Sequence, residues 1–233
     1  LSWTTAPTQG TVLRTTGTVC TLRREPSGPV PRPRPVLPSR FRGLRVLDLT
    51  ARSRQRRRVA TPLTCPRCGA EARPPGLWSD TWSCSVHAAV APLHPARSAS
   101  DEALRQLATR AQVPVWLPWP LPTDWLLSGL QQAGDEHTGP LATVVACSGP
   151  NPLRLDGTSD SERTADLLLV AEQPGVGLGA YLAGLGGIDP GETIAEATPA
   201  WKVSAAGHDT PLWTVPVDGP AAFVGEAAGA WLW

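Results

Sequence analysis

The sequence predicts an α+β fold: a small zinc-ribbon module, then a mainly antiparallel-sheet domain with one or two helices, behind a disordered N-terminal tail. Three observations carry this expectation. Cys65-x2-Cys68 and Cys84-x2-His87 are separated by 15 residues, the spacing of a two-knuckle metal site. One amphipathic helical period follows the second pair. Beyond it come short apolar or alternating runs divided by Gly, Pro, Asn and Asp, the pattern of strands and turns.

Residues 1–60 have no sustained hydrophobic period. They hold the run "PSGPVPRPRPVLPSRFRG" and then "ARSRQRRRVA". Such composition buries too little apolar surface to offset chain entropy, so a disordered tail is expected. Charge sets the segment apart. Residues 1–58 carry 13 Arg against Glu25 and Asp48, a balance of +11, while the remaining chain carries 8 basic and 18 acidic side chains, a balance of −10. Three readings are open: a nucleic-acid-binding arm, since arginine neutralises phosphate; a solvated tail; or translation from a start upstream of the natural one, near Ala60. The sequence has no Met. Lys202 is its sole lysine, the residue usage of a GC-rich genome.

Residues 61–97 form the expected zinc ribbon, with Cys65, Cys68, Cys84 and His87 as ligands and His94 as an alternative fourth. A Cys-x2-Cys turn sets two thiolates along one tetrahedral edge, and Gly69 just after it permits the positive φ such turns need. The residues between the pairs suffice for a strand, a turn at "RPPG" and a returning strand, with Trp78 and Trp82 to pack. Four protein ligands leave no open position for water or substrate, which marks a structural Zn2+ site. Arg67, Arg73 and Arg97 against Glu71 and Asp80 make no basic patch, so nucleic acid is expected only through residues 1–58.

Residues 98–112 read as a linker helix. Ser100 is its N-cap, Asp101 and Glu102 fill the first turn, and Leu104, Leu107, Ala108 and Ala111 share one face. Residues 113–233 read as the α+β domain. Its strands are "DWLLSGLQQAG", "LATVVACSG", "ADLLLVAEQ", "AWKVSAAG" and "PLWTVPV", with a hairpin turn in "AAGHDT" and a weaker helix at "GLGAYLAGLGG". The proline-spaced Trp116, Trp119 and Trp125 serve either as a platform for a partner or as plugs for the core. The chain ends on the apolar "FVGEAAGAWLW", which reads as cut short within a core element.

No enzyme constellation stands out. The loop Gly175-Val-Gly177-Leu-Gly179 follows a strand, but its Gly-x-Gly-x-Gly spacing departs from the Rossmann fingerprint, and no Lys-Ser/Thr follows to make a P-loop. Cys147 lies in an apolar run and would act as a nucleophile only if His137 or His208 approached it, and Ser148 lacks a nucleophile elbow. Glu172 and Glu226 each follow an apolar run and would serve as acid and base only if a cleft joined them, with His208 nearby. Catalytic and cofactor-binding residues other than the metal ligands are therefore not assigned. No secretory leader and no run of about 18 apolar residues is present, which points to a cytoplasmic protein without a membrane span. The odd count of 5 cysteines, three of them in the metal cluster, fits a reducing compartment.

The motifs "CPRCG", "GLWSDTWSCSVH", "VPVWLPWPLP", "ACSGPNPL", "LVAEQPGVGLGA" and "GEAAGAWLW", in this order, resemble an uncharacterised actinobacterial family of unknown function over roughly residues 64–233. Some of its relatives carry the label phosphotransacetylase. That activity needs a phosphate site and a coenzyme A arm, and only Arg154, Arg163 and Lys202 are basic in residues 113–233. The expectation is a non-enzymatic protein whose α+β domain binds a protein partner or small ligand. The alternative is an enzyme with a cleft near the Gly175–Gly179 loop, acting on a nucleotide, phosphate or acyl substrate.

Overall fold

The structure is a computed structural model that describes residues 19–23, 61–77, 79–151, 164–186, 190, 194, 197–217 and 221–233. In chain order its elements begin β1 (Val19–Arg23), β2 (Ser83–Cys84), β3 (Ala88–Ala89), α1 (Asp101–Arg110), β4 (Leu117–Pro118), β5 (Leu126–Asp135) and β6 (Gly139–Pro150). Then come β7 (Thr164–Glu172), α2 (Leu178–Ala183), β8 (Trp201–Ala205), β9 (His208–Val215), β10 (Ala222–Ala227) and β11 (Ala230–Leu232). Nine strands form one sheet in the order β4-β1-β8-β9-β10-β11-β7-β6-β5, and β2 pairs β3 separately. Every pairing in the large sheet is antiparallel except β1 with β4. The mainly antiparallel sheet, with two helices among the described residues, agrees with the α+β expectation. Of residues 1–60 only Val19–Arg23 is described, as a strand; the rest of the expected tail lies outside the described residues. Among the described residues no helix is long and apolar enough to cross a membrane.

The hydrophobic pattern of β6 explains its central place. Leu141 to Cys147 is an almost unbroken apolar run because both faces are covered, where a strand with one wet face would alternate. On one face Val145 and Cys147 meet Leu107 of α1, together with Val115 and Leu130. On the other, Ala142 and Val144 meet Ala133, Val170, Leu93, Val176 and Leu178. A third cluster joins Val113 and Trp116 to Val203, Ala205, Leu212 and Leu232 across β8, β9 and β11. Helix α1, read from sequence as a link between modules, lies on the sheet and buries Leu107. Burying such a leucine contributes about 1.5–3 kcal/mol, more than the cap at its start. That cap is the expected one: Ser100 Oγ accepts from the Ala103 N–H at 3.1 Å.

Two hairpins close through pairs of residues at positive φ. Ala206 and Gly207 (53° and 85°) join β8 to β9, and Ala228 and Gly229 (53° and 74°) join β10 to β11. Their twist matches that of the flanking strands. The second hairpin was not anticipated, because "EAAGA" carries none of the Asn-Gly or Asp-Gly chemistry that signals one. Of the three tryptophans around the proline run, Trp116 is 1% exposed and Trp119 is 60% exposed. Trp125 packs over the backbone at Gly149, where a Cβ would overlap its ring. One indole therefore plugs the core, one faces solvent, and one covers a strand.

The β5–β6 turn is held by one carboxylate. Asp135 Oδ1 accepts from the Thr138 N–H (2.7 Å), the His137 N–H (2.9 Å) and the Thr138 hydroxyl (2.9 Å). These donors, the Thr138 backbone N–H first, hold its carboxyl below the ordinary value of 3.8. A carboxyl depressed in the folded state adds stability above its unfolded pKa, and this is lost as pH falls through the folded value. Asp135→Ala is expected to cost about 1 kcal/mol near neutral pH. The gap between the urea midpoints of the two proteins should narrow steadily as pH falls below 4.

Candidate metal centre

The metal-ligand motif is built onto the exposed edge of the sheet. Residues 92–97 run along β5, with Arg97 exchanging backbone bonds with Leu130 at 2.9 Å each way and the His94 N–H reaching the Gln132 carbonyl at 2.9 Å. Thr64 then pairs with Leu93, at 3.0 and 2.7 Å. The residue before Cys65 is thus fixed to the sheet through one intervening segment. The limb between the two motifs pairs Arg73 with Ser83 and Gly76 with Ser79. That pairing carries the limb to Gly76 before the chain reverses, so "RPPG", expected as the turn, is part of the rising limb. Trp78 lies outside the described residues; Trp82 is half-buried.

Both knuckles repeat one local design. In the first, the Gly69 N–H returns to the Cys65 carbonyl at 2.8 Å and the Cys65 N–H bonds the Ala70 carbonyl at 2.7 Å. The residue after each second ligand adopts positive φ: Gly69 at 71°, Ala88 at 54°. Alanine there costs about 1 kcal/mol or more, a strain that the β2–β3 pairing around it must hold. In the second knuckle the Val86 N–H points at Cys84 Sγ, 3.4 Å away.

The four predicted ligands converge, with their ligand atoms all within 4.8 Å of one another, and can hold a metal ion. Cys65 Sγ lies 3.5 Å from His87 Nδ1, Cys68 Sγ 3.7 Å from Cys84 Sγ, and Cys84 Sγ 3.8 Å from His87 Nδ1. Backbone N–H groups of Val86 and His87 bring the Cys84 thiol down to about 6. Burial pushes Cys65 up to about 11. Cys84 thus forms its thiolate more readily than Cys65. His94, the alternative ligand, is engaged elsewhere: its Nε2–H donates to the Gly134 carbonyl at 2.9 Å.

The first knuckle also grips the distant glycine loop. Arg67, between the two cysteines, donates through Nε to the Val176 carbonyl at 3.2 Å and through Nη2 to the Gly175 carbonyl. Gly69 lies so close to the Tyr181 hydroxyl that a Cβ there would collide with it. From the other side, Glu172 Oε2 accepts from the Leu178 N–H at 2.6 Å. The loop directs two carbonyls at a cation, and the first amide of α2 is already taken. That is the opposite polarity to a phosphate cradle.

The remaining candidates do not assemble into a reaction centre. Glu172 is 0% exposed, whereas Glu226 lies on the surface. They share a cross-strand row with Trp231 between them. His208 is exposed beside the β8–β9 turn. Cys147 is buried on the α1 side of β6, and burial pushes its thiol up to about 11. Ser148 donates to Asp166 at 2.6 Å and bonds Ser128 at 2.9 Å, with no imidazole in that network. Sequence reasoning missed the union of Arg67 with the glycine loop. The only available signal was an arginine inside a metal knuckle, a residue type usually left in solvent.

The chain belongs to a family of unknown function, DUF6758, which matches residues 59–233. No curated protein and no solved structure gives a significant match.

Proposed function

We propose that Cys65, Cys68, Cys84 and His87 hold a structural zinc ion, and that this zinc ribbon is the staple of a non-enzymatic, partner-binding protein. One observation carries the first part. Around a tetrahedral zinc, bonds of about 2.3 Å to sulfur and about 2.0–2.1 Å to nitrogen give S···S edges near 3.8 Å and S···N edges near 3.6 Å. The cluster's 3.7 Å S···S separation and its 3.5 and 3.8 Å S···N separations fit those edges. Three sulfurs and one imidazole fill the tetrahedron, so the zinc would shape the knuckles and leave no position for substrate.

The partner-binding part is supported by exposed apolar side chains on an otherwise polar face. Leu126 and Leu168 stand on one side of the β5–β7 sheet, 58% and 44% exposed. They flank the Ser128–Ser148–Asp166 network. Such a mixture of apolar area and hydrogen-bonding groups is usual for a non-obligate protein interface. Elemental analysis of the purified chain tests the metal. One zinc per chain is the expected result, and a protein that is folded and monodisperse but carries no metal would sink the reading.

A further inference from the structure

The strand β1 comes from outside the family-matched residues 59–233, yet it lies inside the sheet, second from one edge and between β4 and β8. It pairs antiparallel with β8 on one side and parallel with β4 on the other. Within residues 59–233 no described strand pairs with that side of β8 or with β4. The matched part of the chain therefore presents a slot between two strand edges. Its floor is the cluster that contains Val203, Ala205, Val113 and Trp116.

The backbone of β8 is poised to receive a strand. The two-residue turn at Ala206–Gly207 makes Ala205 and His208 a hydrogen-bonded pair. Alternation then places Trp201–Leu212 and Val203–Thr210 in the other hydrogen-bonded pairs. The main-chain groups of Lys202 and Ser204 consequently point away from β9, into the slot. Pro211 opposite Lys202 fits this register, since that position asks for no N–H toward β8. The occupant's residue types match as well. Cys20 and Leu22 lie in the rows of Ala205 and Val203, whose side chains are buried, and Thr21 and Arg23 in the rows of Ser204 and Lys202.

We propose that the slot between β8 and β4 is a strand-acceptor site for an extended peptide of alternating apolar and polar residues, and that Val19–Arg23 occupies it in cis as an internal ligand. Main-chain bonding to the edge gives affinity, and the alternating rows give selectivity. The inference rests on the partner-binding reading above and names its partner class; it does not depend on the metal.

The test uses the full chain with Thr21→Pro, which removes a strand N–H directed at Ser204, and a fluorescent peptide spanning residues 17–25. A tethered arm acts at an effective concentration of about 1 mM. Against a peptide of Kd on the order of 100 μM, it should weaken apparent binding to the unmutated chain about tenfold relative to Thr21→Pro. Adding Ser204→Pro, tolerated on an edge strand, should abolish peptide binding. A measurement on the unmutated chain guards against misfolded variants: the Lys202 and Ser204 amides should exchange about tenfold more slowly than an open edge would, the protection set by the arm's occupancy. Equal peptide binding to both chains, or fast exchange at Ser204 in the unmutated protein, overturns the proposal. So does a Thr21→Pro chain that doubles in mass without taking up peptide, since a second copy would then fill the edge. In each of these outcomes an undisturbed Leu126–Leu168 face leaves the broader partner-binding reading to be judged by mutation of those two residues.

Discussion

For the zinc site proposed above, removing the metal by chelation, or replacing Cys65 and Cys68 with serine, is expected to cause the largest loss of order in this protein. Residues 61–97 have almost no core of their own: in the limb between the motifs, Leu77 is 97% exposed, and the β2 and β3 strands are two residues each. Metal binding supplies about 10–16 kcal/mol of apparent free energy in zinc-finger peptides, and nothing else within residues 61–97 approaches that. Hydrogen exchange should accelerate at Thr64, Leu93 and Val90, whose amides are bonded only through the ribbon fold. The β5–β6–β7 ladder should keep most of its protection, because α1 covers one face independently of the metal. The loss should also follow acid, since thiolate ligands must be deprotonated and metal release takes up protons. Loss of the metal on chelation with no change in melting temperature would remove the structural role.

Much of the centre was legible because its chemistry is local. Two x2 spacings, a glycine after the first pair and a short intervening limb pick out the four side chains that converge, without reference to the rest of the fold. Helix α1 was equally legible from Ser100 and the Leu104–Leu107–Ala111 stripe, and the β5 to β9 strands from their apolar runs. What stayed hidden is non-local. Arg67 bonds a loop 109 residues away, and no periodicity encodes such a pairing. Ala88 takes a conformation that sequence assigns to glycine, because the knuckle geometry outweighs its intrinsic preference. Glu172 closes an apolar run as a catalytic strand-end carboxylate would, and only its 0% exposure and its bond to Leu178 separate the two roles. The turn expected at "RPPG" is displaced for a similar reason, since backbone pairing of Gly76 with Ser79 decides where the chain reverses.

The same Glu172 gives the second large expected effect. Glu172→Ala would leave the buried Leu178 N–H without its acceptor and open a void beside Val176 and Leu178. The unsatisfied donor costs about 1–3 kcal/mol, and the cavity adds to it, for a total of about 2–4 kcal/mol. In a chain of this size that corresponds to a fall of roughly 5–15 °C in melting temperature. Glu172→Gln keeps an acceptor oxygen and should lose less than half as much. A catalytic Glu172 would behave otherwise, with both substitutions leaving stability nearly unchanged. Arg67→Ala acts on the other side of the same loop, freeing the Gly175 and Val176 carbonyls. Because both side chains hold one segment, the losses in the double variant should fall short of additivity by about 0.5 kcal/mol or more. Urea midpoints of the four proteins measure that coupling directly. Strict additivity would mean that the knuckle and the glycine loop are stabilised separately, and that the ribbon does not brace α2.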